Sequence, residues 1–154
     1  MIISTKGRYA LQVMVDLAEH PSPGYTPLQE IVKRQGSPRE YVSAILKTLV
    51  ENGLLDSLRG KGGGYRLKGP PSEYRVGDIL RAAEGSLAPI NCLLEENLCP
   101  NSPHCRFRVM WNELDRMISA YLDNLHLSEF LPGGRFYSVC ALGKPFWEKE
   151  DKPR

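Results

Sequence analysis

Residues 39–67 read REYVSAILKTLVENGLLDSLRGKGGGYRL, and the order of signals in that stretch decides the fold. Val42, Ile45, Leu46, Leu49 and Val50 recur at helical spacing, while Arg39, Glu40, Ser43, Ala44 and Lys47 fall on the opposite side. One face suits a core, and the other is small and polar enough to lie close against a second surface. Gly53, after Asn52, suits the left-handed position that ends a helix. The strand-like pieces LLDSLR and YRL then flank GKGGG, where four glycines within residues 60–64 permit positive φ and close backbone approach. Arg59, Lys61 and Arg66 place cations on this hairpin. Bare backbone with cations suits a phosphate chain or a minor groove.

A nucleotide-binding loop is excluded by pattern. A Walker A loop requires G-x-x-x-x-G-K-[ST], which GKGGGY lacks, and a Rossmann turn leads into a helix rather than a strand.

Upstream, Tyr9, Ala10, Val13, Met14, Leu17 and Ala18 form one apolar stripe, predicting a first helix from about Ser4 to Glu19. HPSPGYTP at 20–27 breaks it. Thr26 with Pro27 and Gln29, and Ser37 with Pro38 and Glu40, read as capping boxes opening a short second helix and the third. Three short helices followed by a basic hairpin is the order of a winged helix-turn-helix, in which the third helix enters the major groove and the wing reaches sideways. The fold class expected is mainly α with a small β-hairpin wing.

Past Pro70 and Pro71, VGDILRAAEG at 76–85 reads as a short helix. From about Cys105, Phe107, Met110, Trp111, Leu114, Met117, Ile118, Tyr121, Leu122 and Leu125 keep three- and four-residue spacings over five turns. A helix of about 20 residues spans about 30 Å, more than a small domain needs for its own core, so a second copy of the chain is its expected partner. Three segments result: a DNA-binding domain over 1–70, a short helix, cysteine loop and dimerisation helix over 71–131, and a flexible tail over 132–154 that contains Cys140.

Between the last two helices lies CLLEENLCPNSPHC, with Cys92, Cys99 and Cys105 spaced C-x6-C-x5-C. Thiolates this crowded hold a metal, form a disulfide or do redox chemistry. The opening MIISTKGRY carries no apolar signal-peptide core, and no stretch approaches the ~20 apolar residues of a membrane span. The expected location is therefore the cytoplasm, where disulfides are rare and metal or redox roles gain weight. Charge is uneven: ten Lys and Arg against six Asp and Glu give +4 over residues 1–69, and ten against twelve give −2 over the rest. A basic front suits one face that meets a polyanion. An enzyme is not expected, because His20, His104 and His126 lie in unrelated contexts and none pairs with a nucleophile.

Taken together, STKGRYAL at 4–11, RQGSPREYV at 34–42 and NGLLDSLRGKGGGYRL at 52–67 resemble the IscR/NsrR/CymR family of bacterial winged-helix transcription regulators, many of which bind iron–sulfur clusters. The resemblance runs from about Met1 to Leu131. It implies a homodimer on a pseudo-palindromic double-stranded DNA operator. Phosphate contacts would come from Lys6 and Arg8, third-helix contacts from Arg39, Tyr41, Ser43 and Lys47, and wing contacts from Arg59, Lys61 and Gly62. Ser43 and Ala44 are short, which implies fewer base-specific bonds there or a different operator site.

The same resemblance makes Cys92, Cys99 and Cys105 ligands of an iron–sulfur cluster, 2Fe-2S or 4Fe-4S, for which four thiolate-like ligands are usual. Where the best-known branch has a histidine three residues after the last cysteine, this chain has Arg108. Where the nitric-oxide-sensing branch has an acidic ligand, it has Arg8. His104 is the candidate fourth ligand. The alternatives are a Cys₃His zinc site, or a cluster-free repressor responding through thiol oxidation or a partner protein.

Overall fold

The structure, a computed structural model, describes residues 3–94, 99, 101 and 104–137. Helix α1 spans Thr5–Glu19 and buries Ala10, Val13, Met14 and Leu17, the expected stripe, with Tyr9 and Ala18 half-buried at its edges. Ser4 caps it, its side chain accepting from the backbone N–H groups of Lys6 and Gly7. Helix α2 spans Leu28–Gln35 and ends at Gly36, whose φ of 61° is left-handed. Helix α3 spans Arg39–Glu51, and Gly53 at φ 75° turns the chain into the wing. Val42, Ile45, Leu46 and Leu49 are buried as their spacing predicts.

Both expected capping boxes are absent. Pro27 and Pro38 occupy the N-cap positions of α2 and α3, neither with a side-chain cap. Thr26 is buried instead, its backbone exchanging two 2.9 Å hydrogen bonds with Tyr65. Helix α2 starts one residue later than a box at Thr26 requires, so Pro27 takes the N-cap and Thr26, one position before it, serves as an extra rung on the wing. Ser37 donates its hydroxyl to the Gln35 carbonyl at 3.3 Å.

Strands β1 (Leu55–Leu58) and β2 (Gly64–Leu67) pair antiparallel, with Leu55 opposite Leu67 and Leu58 opposite Gly64. A Cβ at Gly64 would collide with the Thr26 carbonyl, so glycine here permits the third rung. Helix α4 (Val76–Glu84) follows, laying Ile79 and Ala83 into the same core as α1 and α3. That core runs in sequence from Ala10 to Leu127 and includes Tyr74, whose hydroxyl accepts from the backbone N–H groups of Lys68 and Gly69 at 2.7 and 2.9 Å. A buried Asp16 ties α1 to α2 through two 2.8 Å bonds from Arg34, which raise the guanidinium pKa further above its ordinary value.

Helix α5 spans Arg108–Asp123, about 24 Å at 1.5 Å per residue, and buries none of its residues. Its last turn is held to α4 by Arg81, which reaches both Asp123 oxygens at 2.8 and 2.9 Å. Beyond it, Leu125 and Leu127 return to the interior, with Val76 N–H donating to the Leu125 carbonyl and Leu127 N–H to the Tyr74 carbonyl. Phe136 stacks on Phe130 with ring centroids 5.0 Å apart. Residues 138–154, including Cys140 and the rest of the expected tail, lie outside the described residues.

Candidate nucleic-acid interface and thiol cavity

The outward face of α3 and the wing enclose an open cleft of about 700 Å³. Arg39, Ser43 and Lys47 form one wall, and Arg59 with the wing glycines forms the other. Helical spacing of four puts the three α3 residues in one row, and the glycine turn lets the wing backbone come alongside. Gly60 and Gly62, at φ 88° and 76°, hold conformations that an L side chain resists. Among the described residues, Arg39, Arg59 and Lys61 sit in no ion pair, so their charge is available to an anion. Arg66 is committed elsewhere, 3.4 Å from Asp56 and over the Tyr25 ring at 4.5 Å.

The sequence-predicted residues do not all gather here. Lys61 and Gly62 are exposed at the wing tip, outside the lining of the cleft. Tyr41 is half-buried, edge-on to Tyr9 with centroids 5.3 Å apart, so packing occupies much of its ring. Lys6 and Arg8 stand on the first turn of α1, and exposed Arg8 lines a separate groove with Arg34, Phe130 and Tyr137. The acidic residue of the cleft was not singled out by the sequence. Glu51 lies 3.7 Å from Lys47 and brings a carboxylate into an otherwise cationic wall. Its spacing of four from Lys47 was the available signal.

Cys92, Cys99 and Cys105 line one small cavity of about 20 Å³, together with Leu93, Arg108 and Trp111. That is room for roughly one water molecule. The three thiols are unbonded to one another. Among the described residues, no group of three His, Cys, Asp or Glu side chains is drawn together as a metal-holding set. His104 is exposed and not in the lining; Arg108, which cannot ligate, is. As a donor set the thiols fit a thiophilic metal or cluster in kind, and fall one short in number.

A three-helix core carrying an exposed α3 beside a cationic glycine wing defines a winged-helix DNA-binding protein. The profile of the Rrf2 family, described as an iron-dependent transcriptional regulator, matches residues 3–132, and the chain belongs to that family. The HTH-type transcriptional regulator IscR of Serratia proteamaculans is 37% identical over 131 residues, covering 85% of this chain and 79% of that one. Among solved structures, CymR, the global cysteine regulator of B. subtilis, superposes with a TM-score of 0.65 at 32% identity, covering 83% of this chain and 94% of that one. T. potens IscR superposes with a TM-score of 0.62 at 34% identity, covering 83% and 84%. The protein is a DNA-binding transcription regulator of this family and not an enzyme. Among the described residues, no helix is long and apolar enough to cross a membrane.

Proposed function

We propose that two copies of the chain pair through α5 and bind a pseudo-palindromic operator in the cytoplasm, under the control of an iron–sulfur cluster at Cys92, Cys99 and Cys105. The observation that carries this reading is the double use of α5. Arg108 and Trp111 in its first turn wall the thiol cavity, while Phe107 beside it and Val109, Met110, Met117 and Tyr121 along it are exposed. Apolar side chains of this size on one unburied helix suit a second protein surface. A two-fold dimer would set two α3 helices in successive major grooves, with Arg59, Lys61 and Gly62 of each wing at the minor groove and Lys6 and Arg8 on phosphates. Arg39, Ser43 and Lys47 would face the major groove, with Tyr41 supporting α3 against α1.

The thiolates of Cys92, Cys99 and Cys105 would hold the cluster, and the fourth donor would come from outside the present cavity lining, His104 being the nearest imidazole in sequence. The cluster would supply a charge and a stability that change with oxidation. The chain's own part is to tie its ligands to α5, so that states of the loop have different contacts with the dimer helix. Such differential contact is what coupling to DNA requires.

The test is anaerobic purification with an absorption spectrum and iron and sulfide assays, on the wild type and on Cys99→Ala. Iron and sulfide present in the first and lost in the second are expected. A colourless wild type after anaerobic reconstitution would remove the cluster. One observation favours a second reading: a 20 Å³ cavity with a cation in its wall is a setting for oxidisable thiols without metal. In that case oxidant alone, with no iron or zinc bound, would change operator affinity.

A further inference from the structure

The start of α1 is fastened by a side chain from the far end of α4. One carboxylate oxygen of Glu84 accepts from Ser4 N–H at 2.9 Å, from Ser4 Oγ at 2.8 Å and from Gly7 N–H at 3.1 Å. Ser4 Oγ in turn accepts from Lys6 N–H at 3.1 Å and Gly7 N–H at 3.4 Å. In an ordinary capping box the residue at the third helical position is Glu or Gln, reaching back to the N-cap backbone. Here that position is Gly7, and Glu84 does the work from 77 residues away. A Cβ on Gly7 would land on the Glu84 carboxylate, so glycine at this position leaves room for it. Gly7 is buried for the same reason. A local carboxylate would cap the helix equally well but would tie it to nothing.

We propose that Glu84 is a positioning residue for DNA binding, fixing the first turn of α1 so that Lys6 and Arg8, which flank Gly7, meet the phosphate backbone. This rests on the reading of Lys6 and Arg8 as phosphate contacts. The charge of Glu84 by itself acts in the opposite direction: a carboxylate near those cations repels DNA, so removing it without moving α1 would tighten binding. The two roles therefore differ in sign.

The experiment measures binding of the full-length protein to a fluorescently labelled random-sequence duplex across a salt series. Lys6→Ala with Arg8→Ala should flatten the log–log salt dependence by about 0.9 for each phosphate no longer neutralised. Glu84→Ala and Gly7→Ala should each weaken binding and flatten the slope in the same direction, adding nothing further in the Lys6→Ala, Arg8→Ala background. Glu84→Gln keeps an acceptor oxygen and should restore most of the slope. Gly7→Ala evicts the carboxylate without touching its charge, so it carries the test if Glu84→Ala fails to fold. Unchanged or tighter binding by Glu84→Ala and Gly7→Ala, with the cation variants behaving as expected, overturns the proposal alone. An unchanged slope in Lys6→Ala with Arg8→Ala overturns the phosphate contacts and the proposal together.

Discussion

Helices α3 and α5 carry apolar residues at the same three- and four-residue spacings, yet the fold treats them oppositely. Leu46 and Leu49 of α3 are 0% exposed, whereas Met117 and Tyr121 of α5 are 62% and 60% exposed. The difference lies in what surrounds them. Around α3, helices α1 and α4 and strand β1 supply apolar walls within one chain. Around α5, the last turn is gripped by Arg81 on Asp123 and by Leu122 against a small second cluster, while Arg108 and Trp111 of the first turn wall the thiol cavity. Periodicity reports that a helix has an apolar face, and says nothing of which molecule covers it. The core around α3 closes within one chain, whereas α5 leaves Val109, Met110, Met117 and Tyr121 exposed.

That contrast can be broken most directly at α5. Met117→Arg is expected to weaken dimer formation about 100-fold or more, because an unpaired charge in an apolar contact costs several kcal/mol, and operator binding should fall with it. Sedimentation analysis reads the first and anisotropy the second; an undiminished dimer would leave the open face of α5 without its assigned use.

Within the head, Leu46→Ala should cost about 2–5 kcal/mol in urea unfolding. Met117→Ala, measured on dissociated protein, should stay within about 0.5 kcal/mol. Equal losses would erase the distinction between the two helices.

At the wing, Arg59→Ala is expected to weaken binding across sequences and to lower the salt slope by about one. A change confined to one operator sequence would instead make Arg59 a base reader.

The smallest effect concerns the joint between α4 and α5. Hydrogen bonds from Arg81 hold the Asp123 carboxyl below its ordinary value. A depressed carboxylate contributes stability that is present above about pH 4 and is lost as the pH falls toward the folded value. Both partners are about a third exposed, so the contribution is at most about 1 kcal/mol. Asp123→Asn should therefore destabilise slightly at neutral pH and flatten the acid limb of a stability–pH curve; an unaltered acid limb would assign that limb to other carboxylates.

Much of the site was legible because its logic is local. Arg39, Ser43 and Lys47 share a wall through helical spacing, and the glycines around Lys61 announce a turn that only they tolerate. The capping boxes fail because each helix begins one residue later than its Thr or Ser suggests. Thr26 pairs instead with Tyr65, 39 positions along the chain, a contact that no short-range pattern announces. The edge-on contact of Tyr41 with Tyr9 likewise joins residues 32 positions apart.

The sequence by itself determined the order of helices and hairpin, the buried stripe of α3, the cationic wing and the crowding of three thiols, because each is written in spacings of a few residues. Tertiary structure alone decided that Glu84 caps α1, that Arg108 and Trp111 rather than His104 wall the thiol cavity, and that α5 keeps its apolar face open. Those outcomes depend on which distant surfaces reach a given atom first, and no short-range period encodes that.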